Sequence, residues 1–104
     1  MANKVELTPQ AWDDLDVAFS TVFEVSGNIN AAGATYEGIL SAVERAMPMP
    51  AAYPSVAGRT GIPCDYRWIH HAGWLAFFHE EGDTLLVDRV LWGRSDWLQA
   101  LGLS

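Results

Sequence analysis

Residues Thr84–Trp92 read TLLVDRVLW, a run of β-formers that is apolar on both faces of a strand, with Leu86 and Val90 pointing one way and Leu85, Val87 and Leu91 the other. A strand with no wet face belongs inside a sheet, covered from both sides, so this segment predicts a central strand sandwiched between layers. Such a strand needs partners, and the residues before it supply them. Tyr66–His70 and Trp74–His79 follow period two and are rich in aromatic and branched residues, and Glu81-Gly82-Asp83 makes the turn into the last strand. The three together read as an antiparallel meander.

The first half of the chain keeps the helical period instead. Lys4-Val5-Glu6-Leu7 alternates and is short, which suits an edge strand; Thr8-Pro9 then places a capping hydroxyl before a proline at the first helical position. In the helix that follows, Trp12, Leu15, Phe19, Val22 and Phe23 share an arc of about 100° predicted to face the core. Ser26-Gly27-Asn28 ends that helix, and Asn30 is the expected cap of a second one, in which Tyr36, Ile39, Leu40, Val43 and Met47 share a face until Pro48 and Pro50 stop it. The two form an αα-hairpin. From Met47 to Tyr66, Pro48, Pro50, Pro54 and Pro63 with Gly58 and Gly61 predict a long surface loop without a regular element. Ser95 or Asp96 is placed to cap a final short helix holding Trp97, Leu98 and Leu101. The expected architecture is a single α+β domain over residues 1–104, of order β-α-α-β-β-β with a short C-terminal helix. Its sheet is antiparallel, with the hairpin on one face and the other face partly open.

Charge weighs against one large class of function. Six Lys and Arg against 13 Asp and Glu give a net charge of −7, which argues against a chain whose main work is gripping phosphate backbones. The imbalance is local: residues 1–44 hold Lys4 against seven acids, whereas residues 45–104 hold five arginines against six acids. A single cysteine, Cys64, excludes an internal disulfide, and no residue pattern calls for a metal or an organic cofactor; the expected home is a reducing cytoplasm. Met1–Gln10 lacks the apolar stretch of a signal peptide, and no apolar run approaches the length of a membrane span. With half of its residues hydrophobic, the chain should keep apolar surface for a partner and be oligomeric or sticky alone.

Tyr66-Arg67-Trp68, Gly73-Trp74-Leu75-Ala76-Phe77-Phe78, Gly82-Asp83 and Arg89-Val90-Leu91-Trp92-Gly93-Arg94-Ser95-Asp96 resemble the C-terminal half of the RelE/ParE superfamily of bacterial toxins. The last stretch resembles that superfamily's closing "RVLHGRRD" at six of eight positions, with Trp92 in place of histidine. The resemblance implies the toxin half of a type II toxin–antitoxin module, neutralised by a cognate antitoxin. It also implies two alternative activities. ParE-like members poison DNA gyrase by binding protein; RelE-like members cut ribosome-bound mRNA with lysines and arginines that orient phosphate and stabilise developing charge. The basic set of the RelE-like branch is depleted here, since Lys4 is the only lysine, Leu75 stands at the third-strand arginine and His79 at the arginine that ends that strand in many relatives. The closing motif resembles the ParE-like ending more closely. A third implied reading is an inactive homologue that only binds its antitoxin.

On the ParE-like reading the target-binding residues are Arg94, Asp96, Trp97 and Arg59, with the segment Ser95–Ser104 as the working end; on the nuclease reading Arg94 and Arg67 hold phosphate and His70 or His79 moves a proton. Each has an ordinary alternative. Arg94 is equally placed for an ion pair with Asp96, and Arg67 for one with Asp65 or a helix acid. Arg59 sits in the loop with no registered neighbour. Arg89, half-buried by its alternation, is expected to pair with an acid of the first helix. His70 and His71 are adjacent on a strand and face opposite ways, which argues against joint chelation. Asp13, Asp14 and Asp16 read as a solvated helix face. The five tryptophans read as core or interface residues before they read as base-stacking platforms.

Overall fold

The structure, a computed structural model, describes residues 2–104. Thr84–Trp92 (β4) is central in a four-stranded sheet of order β1-β4-β3-β2, with β1 at Lys4–Leu7, β2 at Arg67–His71 and β3 at Trp74–Glu81. The meander β2-β3-β4 is antiparallel as expected. β1, however, lies parallel to β4, from Lys4 opposite Thr84 to Leu7 opposite Val87, so the sheet is mixed rather than wholly antiparallel. Its exit is fixed by Thr8, whose amide donates to Val87 O (3.0 Å) and whose hydroxyl donates to Asp88 O (2.9 Å).

β4 does not alternate regularly. Its pairing with β3 steps from Arg89 opposite Phe77 to Val87 opposite Phe78, leaving Asp88 as the extra residue of a β-bulge. The bulge flips the parity of all that follows. Leu85, Val87 and Val90 therefore share the helix-side core, correcting the expected split, while Leu91 packs on the other face with Leu75 and Phe77.

Helix α1 spans Pro9–Ser26, capped by Thr8 Oγ1, which accepts from the Ala11 amide (3.0 Å), and ended by Gly27 in the left-handed region. Its buried residues are Ala11, Leu15 and Ala18, whereas Trp12 and Phe23 of the expected stripe are exposed. Small residues let α1 lie close on the sheet, and the large aromatics fall on its flanks; Phe19 meets Tyr36 edge to face. Helix α2 spans Ile29–Arg45, and its cap is Asn28 rather than Asn30: Asn28 Oδ1 accepts from the amides of Asn30 (2.9 Å) and Ala31 (3.2 Å). Ile39 and Val43 are buried, with Tyr36, Leu40 and Met47 packed around them.

The Pro/Gly segment is more regular than its composition predicts. It contains a 3-10 turn at Pro50–Ala52 and a short helix α3 at Val56–Thr60, because Ser55 Oγ accepts from the Gly58 amide (2.9 Å), Gly61 closes the turn with positive φ and Val56 is fully buried. The last helix, α4 at Trp97–Ala100, is capped by Asp96. α3 and the C-terminal turn fold onto the face expected to be partly open, where Val56, Leu75 and Phe77 form a second small core beneath Trp97, Leu98 and Leu101. What remains open there is a cleft. Among the described residues no helix is long and apolar enough to cross a membrane.

Candidate functional site

The cleft forms where two strand ends meet. Ala72 and Gly73 turn β2 into β3, both with positive φ, the geometry of a two-residue hairpin whose twist matches the strands. The Trp92 indole covers Gly73 so closely that a β-carbon there would collide with the ring. Gly93 donates its amide to Gly73 O (2.8 Å), and a β-carbon at Gly93 would approach that oxygen to 3.0 Å. Gly93 is thus explained by close approach of two backbones, and its φ is not in the left-handed region. The chain leaves this crossing at Arg94.

Around the crossing lies a cleft of about 480 Å³. Arg94 reaches it from the end of β4, Arg59 from α3 and His70 from β2, and its walls include Trp68, Trp92 and Trp97. The Arg59 guanidinium stands 6.0 Å from the Trp68 ring centre, within cation–π range. Trp97 lies on Phe77 with ring centres 5.2 Å apart and beside Trp68 at 6.5 Å, which fixes α4 as one wall. Among the described residues no carboxylate lines the cleft. Among the described residues neither Arg59 nor Arg94 makes an ion pair, so a chain of net charge −7 carries a local cationic site with aromatic walls. Arginine forks and indole faces of this kind grip carboxylates or phosphates beside a flat or apolar group.

The structure brings together some of the residues singled out in the sequence and separates others. Arg94, Arg59, Trp97 and His70 meet in the cleft. Asp96 stands outside it as the α4 cap, its carboxylate accepting from the Gln99 amide at 3.4 Å, and the alternative Arg94–Asp96 pair is not formed. Arg67 lies opposite Phe78, on the helix side of the sheet, and donates to Tyr53 O (2.6 Å). It therefore shares no site with Arg94. His71 packs on α2 at Gly38, so the two adjacent histidines do face opposite ways. Arg89 pairs with Asp14 of α1 as expected, which makes Asp14 a half-buried partner and not part of a solvated face. Trp68 and Trp92 also wall the site; in the sequence the only signal for this is the strand parity that Trp68 shares with His70. Among the described residues no group of three His, Cys, Asp or Glu side chains is arranged to hold a metal.

His79 belongs to a separate cluster. Its Nδ1 lies 2.6 Å from Asp88 Oδ2 and its Nε2 3.5 Å from Glu81. Burial works to lower the His79 pKa, but the Asp88 hydrogen bond and the charges of Asp88 and Glu81 outweigh it and hold the imidazole above 6.5. Burial also pushes the Asp88 carboxyl up, with His79 pulling it back and the Glu81 charge adding to the rise. A base whose pKa is higher folded than unfolded contributes stability that is complete below the unfolded value and is lost as pH rises through the folded one. Thermal unfolding midpoints should therefore fall from about pH 6.5 upward, and His79→Gln should flatten that decline. An unchanged slope in the variant would refute this.

No family model matches the chain, and no curated protein matches it. A solved structure described as "Chromosomal ParDE TA system from P. aeruginosa" superposes with a TM-score of 0.70, covering 88% of this chain and 96% of that one at 17% identity. The fold is ParE-like. At that identity the likeness establishes the architecture, and it agrees with the fold that the closing motif implied. On this ParE-like fold the cleft sits at the C-terminal end of β4, where that motif runs through Gly93 and Arg94.

Proposed function

We propose that the chain is the toxin component of a bacterial toxin–antitoxin module, acting on a protein target such as DNA gyrase through the cleft at the end of β4 and neutralised by a cognate antitoxin. The observation that carries this reading is the cleft itself: two arginines without acidic partners beside tryptophan walls, on a ParE-like fold. Arg94 and Arg59 are the anchors that grip an acidic group of the target, and Trp97 supplies apolar contact. Asp96 acts by capping the helix that holds Trp97 in place.

The nuclease reading loses the arginine pair on which it relied, since Arg67 and Arg94 lie on opposite sides of the sheet. What supports it still is His70 in the same cleft as two arginines, so the test must separate the two.

Tightly controlled induction of the chain alone should arrest bacterial growth, and Arg94→Ala should relieve the arrest by weakening target binding about tenfold or more. DNA supercoiling failing before bulk mRNA supports the protein-target reading; mRNA cut within codons, abolished by His70→Ala, supports the nuclease. No arrest by a folded, expressed chain defeats both and leaves a homologue that only binds its antitoxin.

A further inference from the structure

A second depression lies on the hairpin side, between α1 and the outer edge of β4, and shares only the Trp92 wall with the cleft of the proposed function. It measures about 700 Å³ and its walls are mainly apolar, with Val17 and Val25 from α1 facing Trp74 and Trp92. Val17 is 57% and Val25 84% exposed, a large apolar exposure for one helix face.

β1 covers β4 only as far as Val87, so the next residues of β4 present an uncovered edge. That edge is not free for an added strand. The Val90 amide already donates to Asp14 Oδ2 at 3.0 Å, and the same carboxylate is held by Arg89. A helix laid in the groove needs only the apolar walls and leaves that bond intact. The groove face of α1 runs from Asp14 to Ser26, a length of about 18 Å that accepts roughly three turns of a partner helix.

Charge states the partner's chemistry. Asp13 and Glu24 are exposed on α1 beside the groove, about 16 Å apart along the axis, and among the described residues neither forms an ion pair. The only lysine or arginine in residues 1–44 is Lys4, which pairs with Glu6.

We infer that this groove docks an amphipathic helix of a partner protein whose apolar face is flanked by lysine or arginine. The inference rests on the toxin–antitoxin reading for the partner's place in biology, and it adds the chemistry that such an antitoxin would carry: a basic docking helix on an acidic toxin.

The test uses two synthetic helical peptides with the same leucine and alanine face, one flanked by lysines spaced to meet Asp13 and Glu24, the other by glutamates. Binding to the full chain is followed by tryptophan fluorescence and calorimetry at fixed salt. The lysine peptide should bind about tenfold more tightly. Val25→Asp, at an exposed position and adding attraction for lysine, should nevertheless weaken binding at least about tenfold by placing a carboxylate in the apolar wall. Asp13→Asn with Glu24→Gln should narrow the lysine preference, whereas Asp16→Asn with Glu37→Gln, an equal change of charge on the other side of the hairpin, should not. Equal binding of the two peptides, no binding of either, survival of binding in Val25→Asp, or equal effects of the two charge pairs would overturn the inference. Because growth arrest by the chain alone does not enter these titrations, failure here and failure of the toxin reading are told apart.

Discussion

Asp14→Ala should destabilise the fold by about 3–5 kcal/mol, the scale of breaking a buried ion pair from one side. Asp14 and Arg89 are only 13% and 19% exposed at their side chains, and the carboxylate accepts from Arg89 Nε (2.7 Å), Arg89 Nη2 (3.2 Å) and the Val90 amide (3.0 Å). Removing it leaves a guanidinium largely out of water and a backbone N–H at the end of the bulge without its acceptor, and both keep their desolvation cost. The Asp14 carboxylate raises the Arg89 pKa against the effect of burial. With it gone the guanidinium still keeps its proton, because arginine stays charged at any ordinary pH, and so it does not escape by neutralising. Chemical denaturation should show a lower midpoint at unchanged slope. The exposed Lys4–Glu6 pair is the internal control: at 60% and 58% exposure, its removal should change stability by no more than about 0.5 kcal/mol. A loss below about 1 kcal/mol for Asp14→Ala would show that the pair does not organise the α1–β4 junction.

The same pair shows how far the sequence reaches. Alternation along β4 predicts that Arg89 is half-buried and answered by a first-helix acid; the pair forms, although the bulge removes the parity on which that expectation stands. That the acid is Asp14 does not follow, because the helix wheel alone places Asp13, Asp14 and Asp16 together in solvent. The deciding event is the bulge at Asp88. It turns Val90 into the helix-side core and puts Arg89 on the opposite parity, across from Phe77, so that Arg89 meets Asp14 around the edge of β4 that β1 leaves uncovered beyond Val87. Its trace in the sequence is slight: two polar residues inside an apolar run. The parallel pairing of β1 was likewise invisible in a four-residue alternating segment, whose period fixes faces and not direction. The cleft was half legible. Gly93-Arg94 was found through the motif, and Trp97 through helix spacing. Arg59 is named on the ParE-like reading of the sequence, but its place beside Trp68 requires the tertiary fold, since nothing local says that a Pro/Gly segment will form a capped turn there. Arg67 was misplaced because a strand's period separates two faces without saying which one the distant Arg94 will share.

Phe77→Ala should cost about 3–5 kcal/mol and, unlike truncation of an equally buried residue on the helix side, should dismantle the cleft. Phe77 is fully buried in the second core, opposite Trp68 on β2 and beneath the Trp97 ring. Its loss removes the transfer free energy of a phenyl ring and leaves a cavity under α4. That helix has four residues and no buried side chain of its own, so it cannot hold its position without the ring below. The remaining tethers are the Trp68 ring at 6.5 Å from Trp97, Arg89 Nη1 to Ala100 O at 3.2 Å and the packing of Leu98, Leu101 and Leu103. Trp97 emission should therefore shift to the red, and proteolysis should clip the C-terminal turn before the sheet unfolds. Phe78→Ala should lose comparable stability with Trp97 emission unchanged below the transition, since Phe78 packs with Tyr53 on the other side. If both variants left the Trp97 emission unchanged, the α4 wall would be held by its other contacts and not by the ring beneath it. The pair of variants thus separates the stability of the fold from the geometry that gives Arg94 and Arg59 a shared cleft.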